Sequence, residues 1–199
     1  MEGLALRGLA ILLLIVGLGF IGYSGYQIWD TKQEQQAALE EVDRIFAQAS
    51  KDFVFDEVGK EVQFDADVGD KIGKLLIPKI DANLPIVEGV DEKELKQGVG
   101  HYGGTSFPMQ PGQIVLSGHR DTVFRRMAEI ELGDELIVQM PYGEVTYIIE
   151  ETEIVSADDL TVIRPENYDE EVLTLTTCYP FRFIGDAPDR FIVYAKPKL

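Results

Sequence analysis

Hydrophobic and polar positions fall into two patterns along this chain. Residues 8–29, "GLAILLLIVGLGFIGYSGYQIW", run for 22 positions without a charge. At about 1.5 Å per helical residue such a run crosses a hydrocarbon core of roughly 30 Å. Arg7 precedes it, and Asp30 and Lys32 follow it. Tyr23, Tyr26 and Trp29 gather at its C-terminal end, where aromatic rings favour the membrane interface. A cleaved signal peptide would have a shorter apolar region ending in small residues. Here the small residues at 22–25 are interrupted by Tyr23, and no polar mature start follows. The reading is an uncleaved signal-anchor at 8–29. The few flanking charges tilt it toward residues 1–7 in the cytoplasm and the bulk of the chain outside.

Residues 31–53 are rich in helix formers and lack Gly and Pro. Leu39, Val42, Ile45, Phe46 and Ala49 form one amphipathic stripe, with Thr31 and Glu34 as a capping box. This predicts a helical stalk that packs on the chain's own domain or lifts it from the membrane. Residues 53–70 are acidic and irregular, and read as a linker with at most one short strand. From residue 71 on, short apolar runs bounded by Gly, Pro, Asn or Asp follow closely: "IGKLLIP", "ANLPIVEG", "GQIVLSGH", "DELIVQMPYGEVTYIIEETEIV", "EVLTLTTC" and "RFIVYAKP". They read as strands of an all-β barrel or sandwich, with a hairpin turning at 141–143 and a short helix in "DEKELKQGVG" ended by Gly98 or Gly100. The resulting division is a cytoplasmic terminus at 1–7, the span at 8–29, stalk and linker at 30–70, and one mainly β domain at 71–199.

Composition narrows the partners. Thirty-five acidic and 18 basic residues give a formal net charge of -17, which repels phosphate backbones and argues against a nucleic-acid partner. The chain has a single cysteine, Cys178, so no intramolecular disulfide forms. Cys178 ends an apolar, β-branched run, and such a residue is either a buried small hydrophobe or a nucleophile.

A nucleophilic thiol, with a free pKa of about 8.5, needs a partner to ionise. The chain has two histidines, His101 and His119. His119 follows "IVLSG" at a strand end, as Cys178 does, whereas His101 lies in the glycine-rich "GVGHYGG" and reads as a turn residue bonded locally. Acyl transfer also needs charge stabilisation. Arg190 opens the last strand and faces back toward Cys178 across a loop of about ten residues. Arg182 inside that loop reads as solvated, Arg120 as facing away from His119's side, and Arg164 as a weaker pocket candidate. By themselves one Cys, one His and one Arg are weak evidence.

The motif "TLTTC" resembles the TLxTC signature of the sortases, cysteine transpeptidases of Gram-positive cell envelopes. "IGKLLIPKIDANLPIVEG", "GVGHYGG", "PGQIVLSGHRDTVFRRMAEIELGDELIV" and "APDRFIVYAKP" also resemble sortase segments, in the same order, covering about residues 72–199. The stretch from "TCYPF" to "APDRF" most resembles class D, with class E next. The resemblance implies a closed eight-stranded β-barrel with a few short helices. It implies Cys178 as nucleophile, His119 as acid/base and Arg190 as oxyanion-stabilising or substrate-positioning residue. It further implies cleavage of an LPxTG-like sorting signal between Thr and Gly, a thioacyl enzyme, and transfer to an amine. The partners would be secreted surface proteins with C-terminal sorting signals and a peptidoglycan precursor or stem-peptide amine, met at the membrane.

Class A sortases bind calcium through carboxylates that include several before the histidine strand. Here "VGHYGGTSFPMQPGQ" has no Asp or Glu, so no cofactor and no calcium dependence of that type is expected. Asp158 and Asp159 read as solvated loop charges. Two alternatives are a binding or scaffold protein on the same fold and a pilin-polymerising sortase. An intact Cys178, His119 and Arg190 weighs against the first, and the lack of an Asp-Pro lid motif before the barrel weighs against the second. No "SHGC" or "CGSCW" stretch supports an L,D-transpeptidase or papain-like enzyme.

Overall fold

The computed structural model describes residues 2–52, 64–164, 168–183 and 185–198. Helix α1 (Glu2–Asp52) is continuous through the apolar run and the amphipathic segment. It passes through Thr31 without a break, because the helix formers on both sides of 31 outweigh a local capping signal. The expected capping box is therefore not used, and span and stalk are one rod. An 18-residue window of this helix has a mean hydropathy of 2.1, long and apolar enough to cross a membrane.

Beyond it, eight strands close a barrel: β1 (Lys71–Ile77), β2 (Ala82–Glu88), β3 (Val99–His101), β4 (Gln113–Ser117), β5 (Glu135–Met140), β6 (Gly143–Ser156), β7 (Val172–Tyr179) and β8 (Asp189–Pro197). Around the barrel the order is β1-β2-β3-β4-β7-β8-β6-β5. The pairs β2–β3 and β4–β7 are parallel, and the remaining pairs are antiparallel. Alternation builds the core: Leu136, Val138 and Met140 of β5 point inward, as do Leu173 and Leu175 of β7 and Val193 and Ala195 of β8. The hairpin between β5 and β6 turns at Pro141 and Tyr142, with Met140 paired to Gly143. Helix α2 (Glu92–Gln97) ends at Gly98. Strand β3 lies within the segment read as a glycine-rich loop. At three residues, one of them Gly, it leaves no periodic signal.

The stripe on α1 docks on the barrel. Val42 and its neighbour Ala38 are buried, and Leu39, Ile45 and Phe46 are half-buried. Ion pairs flank this seam. Lys96 of α2 donates to Asp30 at 2.6 Å and Glu34 at 2.9 Å, Lys71 lies 3.8 Å from Glu41, and Lys74 pairs with Asp43 and sits over the Phe46 ring. The two carboxylates, Asp30 foremost, hold the Lys96 ammonium above its ordinary pKa. Of the acidic linker, residues 53–63 lie outside the described residues. Residues 64–70 form a loop, not a strand, and Phe64 packs on Phe107 and Tyr142 with ring centroids 5.0 and 5.1 Å apart.

Candidate active site

The parallel pairing of β4 with β7 brings two strand ends to one rim. Their register reaches Ser117↔Thr176, and beyond it Gly118 N donates to Thr176 O at 3.1 Å. The buried Thr177 Oγ1 donates back to Gly118 O at 2.7 Å. Continuing this register sets His119 beside Cys178. On the other side of β7, Cys178 pairs directly with Arg190 of β8. Ile114 and Leu116 of β4, Leu173 and Leu175 of β7, and Val193 and Ala195 of β8 all face the core. Alternation therefore puts Cys178 and Arg190 on the outer wall. His119 follows Gly118, the last residue bonded to β7, just beyond the end of β4 at Ser117. A Cβ at Gly118 would stand 2.6 Å from the Phe124 ring and 2.7 Å from Val123, which places the inner face at position 118. Cys178 and Arg190 thus share one face on adjacent strands, and His119 leaves the end of β4 at the same rim.

Their surroundings leave reactive atoms uncommitted. Cys178 is a free, half-buried thiol. His119 Nε2 is shielded from solvent without a hydrogen-bond partner. The Glu92 carboxylate faces it at 3.5 Å, within ion-pair range but not in hydrogen-bonding geometry. Buried polar atoms are nearly always paired, so an orphan at such a place marks a position a ligand can complete. Arg190 uses Nη1 to donate to Asp189 O at 3.0 Å and Ala187 O at 3.3 Å. Among the described residues, its Nε and Nη2 make no hydrogen bond, so donors remain for a developing negative charge.

The other sequence candidates take different roles. His101 is 1% exposed, with Nδ1 2.6 Å from Glu88 Oε2 and Nε2 3.0 Å from both Ser106 O and Thr105 Oγ1. Its Nε2 bonds locally, as expected, but His101 is a strand residue and not a turn residue, and its Nδ1 partner comes from β2. Arg182 is exposed. Arg164 is exposed, and its backbone N–H donates to Gln113 Oε1 at 2.7 Å. The Asp159 carboxylate caps the turn at Leu160–Val162, and hydrogen bonds from the Thr161 side chain and backbone hold its pKa below the usual value.

Several residues matter here that sequence reasoning did not single out. Gln113, fully buried on the outer face of β4, donates to Val162 O at 2.8 Å and Thr174 Oγ1 at 2.9 Å and so pins the β6–β7 connection to β4. Thr177 locks the Cys178 strand to the His119 strand. Arg120, expected to face away, instead follows the turn after His119 and reaches the loop that follows Cys178. Strand alternation misjudged it because β4 stops at Ser117, so period-two reasoning does not extend to position 120. Only the adjacency of Arg120 to His119 could have drawn attention to it.

Comparisons with known proteins bear on the fold and the family. The Sortase domain family model matches residues 75–198. The chain is 44% identical over 191 residues to Sortase D of Bacillus subtilis, covering 94% of this chain and 96% of that protein. A solved Sortase D5 transpeptidase of Clostridium perfringens matches with a TM-score of 0.68 at 27% identity, covering 84% of this chain and 99% of that one. The catalytic domain of Bacillus anthracis SrtD matches with a TM-score of 0.57 at 41% identity, covering 72% and 97%. On the strength of the domain match and the extended identity, this chain belongs to the sortase family of cysteine transpeptidases.

Proposed function

We propose that the chain is a membrane-anchored sortase that cleaves an LPxTG-like signal between Thr and Gly and joins the acyl portion to a cell-wall amine. The observation that carries this reading is the direct cross-strand pairing of Cys178 with Arg190, beside the strand end that bears His119. In this mechanism the Cys178 thiolate attacks the threonine carbonyl carbon, and Arg190 faces the oxyanion of the tetrahedral intermediate. The imidazolium of His119 gives its proton to the departing glycine amine as the C–N bond breaks, which leaves a thioester on Cys178. An incoming amine then attacks the thioester and surrenders a proton to His119. The new amide forms as the thiolate leaves. Cysteine and histidine act here as one coupled couple, each proton belonging to the pair.

The uncharged, exposed surface of the 8–29 segment supports anchoring in the cell membrane with the barrel outside, where secreted surface proteins and the peptidoglycan amine meet. Holding enzyme and substrate in one layer raises their effective concentration. The carboxylate-free 99–113 segment supports turnover without calcium. The test is cleavage of a small library of LPxTG-like peptides by the full chain in detergent, with mass spectrometry of products formed with candidate amines. Cys178→Ala should abolish both cleavage and the thioacyl adduct. Retained cleavage by that variant would remove Cys178 from the chemistry.

A further inference from the structure

Arg120 makes three hydrogen bonds to one short loop. Its Nη1 donates to Pro180 O at 3.1 Å, and its Nη2 donates to Phe183 O at 2.9 Å and Gly185 O at 2.8 Å. All three acceptors lie between Cys178 and Arg190. The loop is fixed at its base by an aromatic cluster, Tyr179, Phe181 and Phe191, with ring centroids 5.3–6.4 Å apart. Its outer part is exposed: Arg182, Phe183, Gly185 and Asp186 all face solvent. Among the described residues, the Arg120 fork ties that part to the His119 side.

We propose that Arg120 is a positioning residue that sets the shape of the Cys178–Arg190 loop and thereby the placement of a bound peptide against the thiol. This rests on the site reading given above, and it adds a residue to it. A guanidinium suits the task because its planar fork can satisfy several carbonyls at fixed angles, while a lysine ammonium supplies a single point charge. The same residue follows His119 in the chain. One side chain therefore couples the strand end carrying the base to the loop leaving the nucleophile. The exposed Phe183, whose carbonyl Arg120 grips, is carried on the held portion.

The experiment compares wild type with Arg120→Gln and Arg120→Lys in the full chain in detergent. Its first readout is independent of catalysis: limited trypsin digestion followed by mass spectrometry, scoring cleavage after Arg182. Arg120→Gln should raise that rate about tenfold while cleavage elsewhere stays unchanged. An unchanged rate after Arg182 would overturn the proposal, whether or not any peptide is turned over. The second readout is kcat/KM on an LPxTG-like peptide together with the rate at which a small methanethiosulfonate labels Cys178. Arg120→Gln should lose about 10- to 100-fold in kcat/KM, with labelling within about threefold of wild type, since a small reagent does not use the loop. Arg120→Lys should stay nearer to Arg120→Gln than to wild type. Full recovery with lysine would show that charge alone matters, and would sink the positioning role. Cleavage retained by Cys178→Ala would instead count against the site reading, and would leave the trypsin result standing.

Discussion

Thr177→Val is the sharpest test of how the barrel aligns its reactive strands. The Thr177 side chain is 3% exposed, and its hydroxyl donates to Gly118 O at 2.7 Å, one residue before His119 and one before Cys178. Valine keeps the β-branched shape and removes only the hydroxyl, leaving the Gly118 carbonyl short of a partner. Losing a buried hydrogen bond in this way costs about 1–3 kcal/mol. For a chain of this size that corresponds to a fall in Tm of about 2–12 °C. Function should suffer more than a purely structural defect would cause, because displacements of about 1 Å between reacting groups can cost on the order of 100-fold. We expect kcat to fall about tenfold, with KM nearly unchanged. Thr177→Ser is the control. It keeps the hydroxyl and removes a methyl group, at about 0.8 kcal/mol, so kcat should stay within about threefold of wild type. The assay is peptide cleavage in parallel with a thermal melt. The reasoning fails if Thr177→Val keeps both wild-type kcat and wild-type Tm, or if serine and valine lower kcat equally.

Gly118→Ala should be worse than its size implies, since the added methyl would meet Phe124 and Val123 at 2.6 and 2.7 Å. Overpacking of about 1–3 kcal/mol and a more than tenfold loss of kcat/KM are expected, read by melting and peptide cleavage. At Glu88, a glutamine can still hydrogen-bond His101 Nδ1, whichever way the ring tautomer requires, whereas Glu88→Leu leaves that buried nitrogen unpaired. The leucine variant should lose about 1–3 kcal/mol in denaturant titration and the glutamine variant distinctly less; equal losses would contradict the pairing. Excess EDTA should leave peptide cleavage within experimental error, and a large loss restored by calcium would refute the calcium-independent reading.

The barrel was legible because most of its strands write a plain signal. "DELIVQM" alternates, "IVLS" and "VLTLTT" are buried runs, and Gly or Pro punctuates their ends. Strand β3 was not legible: its three residues are held by pairing with β2 and β4, an interaction invisible along the chain. At the candidate site, the residues placed at strand ends could be named from the sequence. Those acting across long separations could not. Thr177 and Gly118 are 59 positions apart, Arg120 and Phe183 are 63 apart, and Gln113 and Val162 are 49 apart. Each is a polar residue whose partner is a backbone carbonyl, and a carbonyl carries no side-chain signature for a pattern to detect. His101 could be judged local by its glycine-rich neighbours, but its burial came only with the tertiary structure.

The grip of Lys96 on α1 begins at Asp30, the residue immediately after Trp29. With residues 8–29 in a bilayer, helix α2 lies at the level of the lipid headgroups, and Glu92 of the same short helix faces His119. Four helical steps separate Glu92 from Lys96, a rise of about 6 Å. On the proposed anchoring, the candidate site would be held low over the bilayer, like a blade mounted close to a table. A passing protein still anchored by its own hydrophobic tail would need only a brief extended spacer between lipid and cleavage site. The length of that spacer, more than its composition, would decide which tethered chains the enzyme can reach.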